Sequence, residues 1–499
     1  LQRWLKFVLL APDSCCHSTW NLSLYFCHLC MTGVASVEID VGSNVENHPQ
    51  RSFLTQSIAS FVEASSDRLT TASFSMVDLS GKGVASPQAS DGLSFSESVA
   101  NFVVYLVGGA ILVLPSVMRD VGLVPALILM LVAFATTYEC SALTITCCTA
   151  VESASKANGS RVESYEALAG EVFGLAGKSA LALTKNGYLL GVMVVFSLLV
   201  TDGIHTWLPS ENTEVLRWFV TLPLFATLAM VRDLKQVKRF AKVGVCAAFL
   251  QCALVAFGAV LEVSGPQFVW PKHDLLRGGL LDIGAAMATS LFCCGSVVCT
   301  VPSVRTQMAR PEELLAALRT SLIIVLSLYL VVMGLCYLAF GRSLNGNALK
   351  SITNDCWPGQ CAVGTMTGTV LILNLMISIP SVAFFVISVF EATGNLGICR
   401  TLSWPNMFFR ACLMTAIVYV GKQLPHVDKV ISIISASFGG CNCLVFPLLF
   451  YSLLKRRFLI AQPDRRCFDC MLRFGVLLVA IVAMPFGILG AVQNLMKEL

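Results

Sequence analysis

The sequence predicts an all-α membrane protein of about eleven transmembrane helices, the first ten arranged as an inverted repeat of five plus five. Three observations support this fold class. Of the 499 residues, 56% are hydrophobic and only 13% are charged, against roughly a quarter charged in soluble domains. Most of the long apolar stretches reach the roughly 20 residues that a bilayer core requires. The first and sixth stretches are interrupted by the same residue pattern.

The apolar stretches give the order of the predicted helices. They are Val99–Arg119, Leu123–Cys148, Leu181–His205, Val215–Val231, Val243–Val263, Leu280–Val304, Ser321–Phe340, Met366–Phe390, Phe409–Val420, Val430–Leu454 and Met471–Leu495. The ninth is short and its flank is weakly apolar, so ten or twelve spans remain alternatives to eleven.

Two of these helices contain a predicted break. Gly108 and Pro115 bracket small and apolar residues in the first helix, and Gly295 and Pro302 do the same in the sixth, 187 residues later at both ends. A break at membrane depth frees backbone groups that lipid cannot hydrogen-bond, so it is tolerated where it lines a cavity. Breaks at matching places in two halves indicate a secondary transporter with its site at the repeat interface.

The basic residues of the loops predict the orientation in the membrane. Alternate loops on one side carry roughly twice as many Lys and Arg residues as those on the other, including the run Lys455-Arg456-Arg457. By the positive-inside rule, the richer side is cytosolic. The N-terminus is then cytosolic and the C-terminus lies outside or in a lumen. The formal net charge of +4 comes with no basic patch of the kind that binds nucleic acid, and we expect no nucleic-acid partner.

The N-terminal region differs in kind from the rest. Residues 1–93 are predicted to be a disordered cytosolic tail, because Ser, Ala, Gly and Asp dominate its second half without any period. Residues 94–499 form the predicted transmembrane domain. The chain begins with Leu1, and Met31 is the first candidate start. We therefore expect residues 1–30 to be a fragment edge or an untranslated stretch.

The 21 cysteines mostly lie in apolar runs, where cysteine behaves as a small buried hydrophobe. Two pairs, Cys27–Cys30 and Cys467–Cys470, have zinc-like spacing but lack a second pair, so no zinc site is predicted. Cys356 and Cys361 are different, because they flank a short segment of a predicted outer loop. An oxidising compartment would permit a disulfide between them, and the alternative is two free thiols.

Two charged residues are predicted inside helices, where burial in lipid is costly. Glu139 lies late in the second helix and Lys185 early in the third. We expect them to form an ion pair. The alternatives are a proton relay, or extension of the Lys185 side chain to the lipid headgroups.

Four motifs, taken in order, resemble the amino acid/auxin permease family. They are Val107–Pro115, Tyr165–Gly174, Gly191–Phe196 and the segment from Leu424 to Ala436. The sequence is most similar to the system A/N neutral amino acid branch and the related vacuolar exporters, and the resemblance runs from about Ser94 to the C-terminus. It implies a LeuT-like fold that moves amino acids by alternating access, coupled to Na⁺ or H⁺.

The resemblance also implies a substrate site at the two breaks. Gly108, Gly109 and Ala110 would present backbone amides to the substrate carboxylate, which suits the partial positive charge of a half-helix N-terminus. Gly295 and Ser296 would offer carbonyls or a hydroxyl to the substrate amine.

The resemblance further places an ion site between helices one and eight. Asn101 and Ser378 match two oxygen-bearing positions of the family pattern, and their oxygens suit a hard cation such as Na⁺. The alternative is that both are polar residues satisfied by neighbouring helices. We expect no other metal and no cofactor.

The sequence departs from the family pattern at four positions. Ala110 replaces a glycine and leaves less room for a large side chain. Phe196 replaces a tyrosine at the helix-three position that faces the substrate, and Val104 and Val297 replace polar residues. The coupling ion and the identity of the substrate therefore stay open.

The sequence as a whole predicts a monomeric transporter of amino acids, favouring neutral ones, in the plasma membrane or a vacuolar or lysosomal membrane. No His-rich helix, pair of intramembrane aspartates or Gly-x-Ser-x-Gly motif indicates an enzyme. The alternative is a nutrient-sensing receptor built on the same fold, for which residues 31–96 would supply a partner-binding tail.

Overall fold

The computed structural model describes residues 93–154, 162–209, 211–230, 241–265, 268–354, 356, 358–393, 404–424, 426–458 and 466–498. The predicted tail lies outside these residues except for Leu93.

The described chain is almost entirely helical. The helices before the second break are α1 Phe95–Leu106, α2 Leu114–Val121, α3 Leu123–Ala154, α4 Tyr165–His205, α5 Thr213–Leu216, α6 Leu222–Ala229, α7 Ala241–Val263 and α8 Leu280–Cys294. Those after it are α9 Val297–Gln307, α10 Leu314–Phe340, α11 Ala348–Thr353, α12 Pro358–Thr393, α13 Trp404–Gln423, α14 Val427–Ile434, α15 Phe446–Phe458 and α16 Arg466–Glu498.

Eight helical segments are long and apolar enough to cross a membrane among the residues that the structure describes. Each of the eleven predicted stretches overlaps described helical segments. The first, fourth and ninth do not count among the eight. Short or interrupted helices make up the first and fourth stretches. The ninth stretch lies in α13, which has only 20 residues, several of them polar. Eleven crossings and the inverted repeat therefore stay predictions.

The first predicted helix is broken in the structure. The α1 helix begins with a capping box in which Ser94 and Glu97 satisfy each other's backbone N–H groups. It ends at Leu106, whose carbonyl accepts a hydrogen bond from the Tyr329 hydroxyl at 2.5 Å. A 3₁₀ turn, Gly109–Leu112, follows, and Pro115 lies in the first turn of α2, where its missing N–H costs nothing.

The second break is shorter. Gly295 and Ser296 form a turn between α8 and α9, and Pro302 lies inside α9. The two breaks share the position of the glycine but not the role of the proline. The equal spacing in sequence thus overstates their structural likeness.

The helix that the sequence presents as Val430–Leu454 is irregular at its centre. Two π-helical segments, Ser435–Gly439 and Cys441–Val445, separate α14 from α15. Such segments widen a helix and expose backbone groups, and they recur at functional sites.

The α4 helix contains more than a transmembrane span. It begins at Tyr165, where the Ser164 side chain caps the N-terminus by accepting from the Ala167 N–H. It bends at Gly174, which has φ +70° and is therefore left-handed. The first nine residues, Tyr165–Phe173, form what we call the cover segment.

The cover segment packs against neighbouring helices through its own apolar cluster. Tyr165 and Leu168 are fully buried there with Cys147 of α3 and Phe450 of α15. The rings of Tyr165 and Phe450 meet edge to face at 5.4 Å. This cluster holds the cover segment against α3 and α15.

Candidate functional site

A small, mostly apolar cavity lies where α1, α4, α9 and the second π segment meet. Its polar lining includes Tyr105, Lys185, Tyr188, Ser296 and Asn442. The space open to the centres of water molecules is about 30 Å³, which admits a few waters but not an amino acid. Any solute of that size requires these helices to move apart.

At the first break, the predicted site residues Gly108, Gly109 and Ala110 are not part of the described cavity lining. The 3₁₀ turn Gly109–Leu112 begins with a backbone hydrogen bond from the Ile111 N–H to the Gly108 carbonyl, at 3.4 Å. The amides of Gly109 and Ala110 precede that bond, and the leading N–H groups of a helix have no partner within it. A Cβ atom added to Gly108 would meet no atom within 4 Å.

The second break contributes Ser296 directly to the cavity. The Tyr105 hydroxyl on α1 hydrogen-bonds the Ser296 side chain, so the two broken helices are joined at the cavity wall. Gly295 lies close to the π segment, because a Cβ there would be 2.7 Å from the Cys443 sulfur. Only glycine fits at this approach without displacing a neighbour.

The prediction of an ion pair between Glu139 and Lys185 is wrong, because Lys185 pairs with a different carboxylate. Lys185 forms its ion pair with Glu166 of the cover segment. The two residues lie on the same helix on either side of the bend at Gly174, and the bend lets the cover segment fold back over the start of the transmembrane part. Glu166 lies between the second and third predicted helices, so the sequence gives no reason to pair it with Lys185.

Asn442 was not predicted as a site residue. Its carbonyl accepts from the Tyr165 hydroxyl at 2.9 Å, and its side-chain oxygen accepts from Thr184 at 2.7 Å. It therefore ties the π segment to both parts of α4 at the cavity. A signal for this site was the Gly439-Gly440 pair inside an apolar helix, which precedes Asn442 by two residues.

Phe196, Asn101 and Ser378 are not part of the described cavity lining. Phe196 is half-buried and packs against the main core. The Asn101 side-chain nitrogen is buried and has no hydrogen-bond partner in the part of the chain that the structure describes. The Ser378 hydroxyl donates to the Asn374 carbonyl at 3.1 Å. No contact described here joins Asn101 to Ser378.

A buried network of charges links α2 to α14 on the predicted outer side. Arg119 donates to Asp120 at 2.7 Å, to Asp428 at 3.1 Å and to the Leu344 carbonyl at 3.0 Å. Lys429 lies 3.1 Å from Asp428 and 3.6 Å from Asp120. Two cations and two carboxylates therefore neutralise each other, as buried charges must.

A second set of contacts holds the segment Leu344–Thr353, which we call the outer lid. The Asn347 side chain donates to Asp202 of α4 at 2.8 Å. Lys350 lies 2.9 Å from the same carboxylate. Since Leu344 also binds Arg119, the lid is attached to helices on two sides of the cavity.

The predicted cytosolic side is held in its own way. Arg305 of α9 forms a bidentate pair with Glu152 of α3, with both N–O distances 2.8 Å. Leu93 exchanges backbone hydrogen bonds with Gln307 and Ala309, at 2.8 and 3.1 Å. The two broken helices are therefore tied together at this end as well.

Cys356 and Cys361 form a disulfide bond in the structure. It joins Cys356, which precedes α12, to Cys361 in the first turn of that helix.

Comparison with known proteins gives a consistent family. Residues 91–492 match the family model described as transmembrane amino acid transporter protein. The chain is 23% identical to amino acid transporter AVT6A of Arabidopsis thaliana, over 72% of this chain and 80% of that protein. It is 24% identical to solute carrier family 38 member 10 of Rattus norvegicus, over 71% of this chain.

The second of these relatives is much longer. The matched region covers 32% of the rat protein. Among solved structures, a manganese transporter of Eremococcus coleocola aligns over 85% of this chain and 94% of that chain, with 12% identity and a TM-score of 0.44. That likeness is too low to support an argument about this chain.

Proposed function

Because this chain belongs to the transmembrane amino acid transporter family, we propose that it carries amino acids, favouring neutral ones, across a membrane by alternating access. The observation that carries the proposal is that Tyr105, just before the first helix break, and Ser296, at the second break, line one cavity. The half-helix N-terminus at the first break would offer amides to a carboxylate. Ser296 and the carbonyls beside it offer acceptors to an amine. A zwitterion with a small apolar side chain fits this arrangement.

Contacts at each end of the protein provide the closures that alternating access requires. The Arg119–Asp428 network and the Asp202–Asn347 contact close the predicted outer side. The Glu152–Arg305 pair and the cover segment close the predicted cytosolic side. Opening one end while the other stays closed exposes the cavity to one compartment at a time, which is the mechanism of transporters with a fixed central site.

The same proposal assigns the compartments on the two sides of the membrane. The cytosolic end is the one with the basic loops and the N-terminus. The disulfide between Cys356 and Cys361 is then in an oxidising compartment, either outside the cell or in a lumen. We propose a monomer in the plasma membrane or a vacuolar or lysosomal membrane, coupled to Na⁺ or H⁺.

Counterflow in proteoliposomes tests the proposal. Vesicles that contain the purified protein and unlabelled neutral amino acid should take up the radiolabelled amino acid transiently, without any ion gradient. Vesicles without protein are the control. Specific binding without counterflow would contradict transport and would instead favour a nutrient-sensing receptor.

A further inference from the structure

The ion pair between Glu166 and Lys185 has an unusual position. Lys185 lines the cavity, and Glu166 meets it from the cover segment. Both side chains are mostly buried, with 18% of Lys185 and 16% of Glu166 exposed. Of the described residues that line the cavity, Lys185 alone is charged. This pair is therefore the candidate for a charge that changes with transport.

Contacts other than the ion pair also hold the cover segment in place. The Tyr165 hydroxyl binds the Asn442 carbonyl at 2.9 Å, and the Ser303 hydroxyl binds the Glu163 carbonyl at 3.2 Å. The apolar cluster around Phe450 adds packing. Ionisable residues buried in a membrane domain are costly, and such residues mark ion pathways and proton relays.

We propose that Glu166 is the proton-binding site that couples transport to a proton gradient, a proposal that rests on the amino acid transport inferred above. A proton enters from the more acidic compartment while the cavity is open to it and binds a carboxylate oxygen of Glu166. Lys185 keeps its own protons and its positive charge. The pair thus changes from neutral to a net charge of +1.

The substrate completes the coupling. With Glu166 neutral, the Lys185 ammonium faces the cavity without a counter-ion. A substrate carboxylate that enters this cavity when the helices move apart stabilises that charge. Ionised Glu166 competes with the carboxylate for it. Proton binding therefore raises substrate affinity, and substrate binding raises proton affinity by the same factor.

The groups that face the pair from other helices do not replace Glu166. They are the Tyr105 phenol of α1, the Cys299 thiol of α9, and the Cys443 thiol and Asn442 amide of the second π segment. Phenols and free thiols have ordinary pKa values well above neutral, and an amide does not titrate. Tyr188 of α4 adds another phenol. Among these described groups, the carboxylate of Glu166 is the one whose ordinary pKa lies on the acidic side of neutral.

The test measures uptake driven by a pH gradient alone or a Na⁺ gradient alone, with counterflow measured in the same vesicles. For the wild type, we expect accumulation with the pH gradient, no effect of replacing Na⁺ by a large organic cation, and entry of one positive charge per substrate. Substrate affinity should change by about tenfold or more with pH. Glu166→Gln should keep counterflow and lose both the accumulation and the pH dependence of affinity.

Two further variants protect the test against misfolding. The double variant Glu166→Gln with Lys185→Met removes both charges together, which avoids an unpaired buried charge. Because it also removes the ammonium that faces the substrate carboxylate, its counterflow should need a higher substrate concentration, and it should show no accumulation. Glu166→Asp keeps a carboxylate and should restore part of the response to pH. Glu214→Gln is the matched control, because it breaks the ion pair with Lys422 outside the described cavity lining and should keep the response to pH.

The outcomes separate this inference from the proposed function. Counterflow in the wild type with accumulation driven only by Na⁺, or by no gradient, would overturn proton coupling and leave amino acid transport intact. Accumulation driven by pH in both Glu166→Gln variants would overturn the assignment to Glu166. Absence of counterflow in the wild type would overturn the transport function itself.

Discussion

Arg119 at the end of α2 donates to the carboxylate of Asp428 at the start of α14, with the Nη2 and Oδ2 atoms 3.1 Å apart. The two residues are 309 positions apart in the chain and belong to different halves of the protein. Asp428 is 6% exposed and Lys429 beside it is also 6% exposed. In the proposed transport mechanism, this contact would stabilise the state in which the predicted outer side is closed.

The first prediction follows from that contact. Asp428→Asn leaves Arg119 and Lys429 with fewer negative partners in a buried place, and breaking such a pair costs about 3–5 kcal/mol. We expect the outer side to open more often. A cysteine introduced by Leu344→Cys, at a position that is 2% exposed, should then react about tenfold faster or more with an impermeant maleimide.

The control for this experiment is Glu313→Gln. It breaks the pair with Arg310, whose side chain is 72% exposed, and exposed pairs contribute little. Equal labelling rates at position 344 in the wild-type and Asp428→Asn backgrounds would show that the network does not close the outer side.

The sequence predicts the helices and both breaks because their causes are local. Apolar length, glycine and proline act within a few residues of where they stand. The partner of Lys185 could not be predicted in the same way, because it depends on the fold of the cover segment. That segment reaches Lys185 only because Gly174 takes a left-handed conformation, and nothing in the spacing of Glu166 and Lys185 indicates it.

The contacts at the two ends also escape sequence analysis. Asp202 and Lys350 meet across 148 positions, and each would pass for an ordinary charge near a helix end. For the π segments around Gly440, the Gly439-Gly440 pair is a signal in the sequence, but it does not indicate the π geometry. Tertiary packing decides such features, and local patterns do not record it.

The second prediction concerns the thiol of Cys299, which lines the cavity. A small membrane-permeant maleimide that alkylates Cys299 should fill the cavity and block counterflow. Substrate should slow the block because it occupies the same space. Since Cys443 also lines the cavity, the matched control is the double variant Cys299→Ala with Cys443→Ala, which should resist the reagent. Equal inhibition of this variant would place the reactive thiol elsewhere.

The third prediction concerns the outer loop before α8. The side-chain hydrogen bond from Arg342, whose Nε lies 2.6 Å from the Asp274 carboxylate, lowers the pKa of Asp274 below its ordinary value. A carboxylate with a lowered pKa stabilises the fold fully above its ordinary pKa of about 4. That contribution is lost as the pH falls through the lowered value.

The Asp274–Arg342 pair should therefore still hold the loop at the pH of a weakly acidic lumen. Asp274→Asn should lower the melting temperature by the same amount from neutral pH down to about pH 5, and the difference should shrink only below about pH 4. A difference between wild type and variant that disappears near neutral pH would contradict a stabilising Asp274–Arg342 pair.

The last prediction concerns the first break. A Cβ at Gly108 would meet no atom within 4 Å, and its φ of −112° is open to any residue. Gly108→Leu should therefore insert and fold normally, while its side chain fills the space beside the amides of Gly109 and Ala110. We expect counterflow to be lost.

Gly334→Leu on α10 is the matched control, because a Cβ there also meets nothing within 4 Å, and Gly334 is not part of the described cavity lining. That variant should transport like the wild type at equal expression. Normal counterflow by Gly108→Leu would mean that the substrate does not bind at this break.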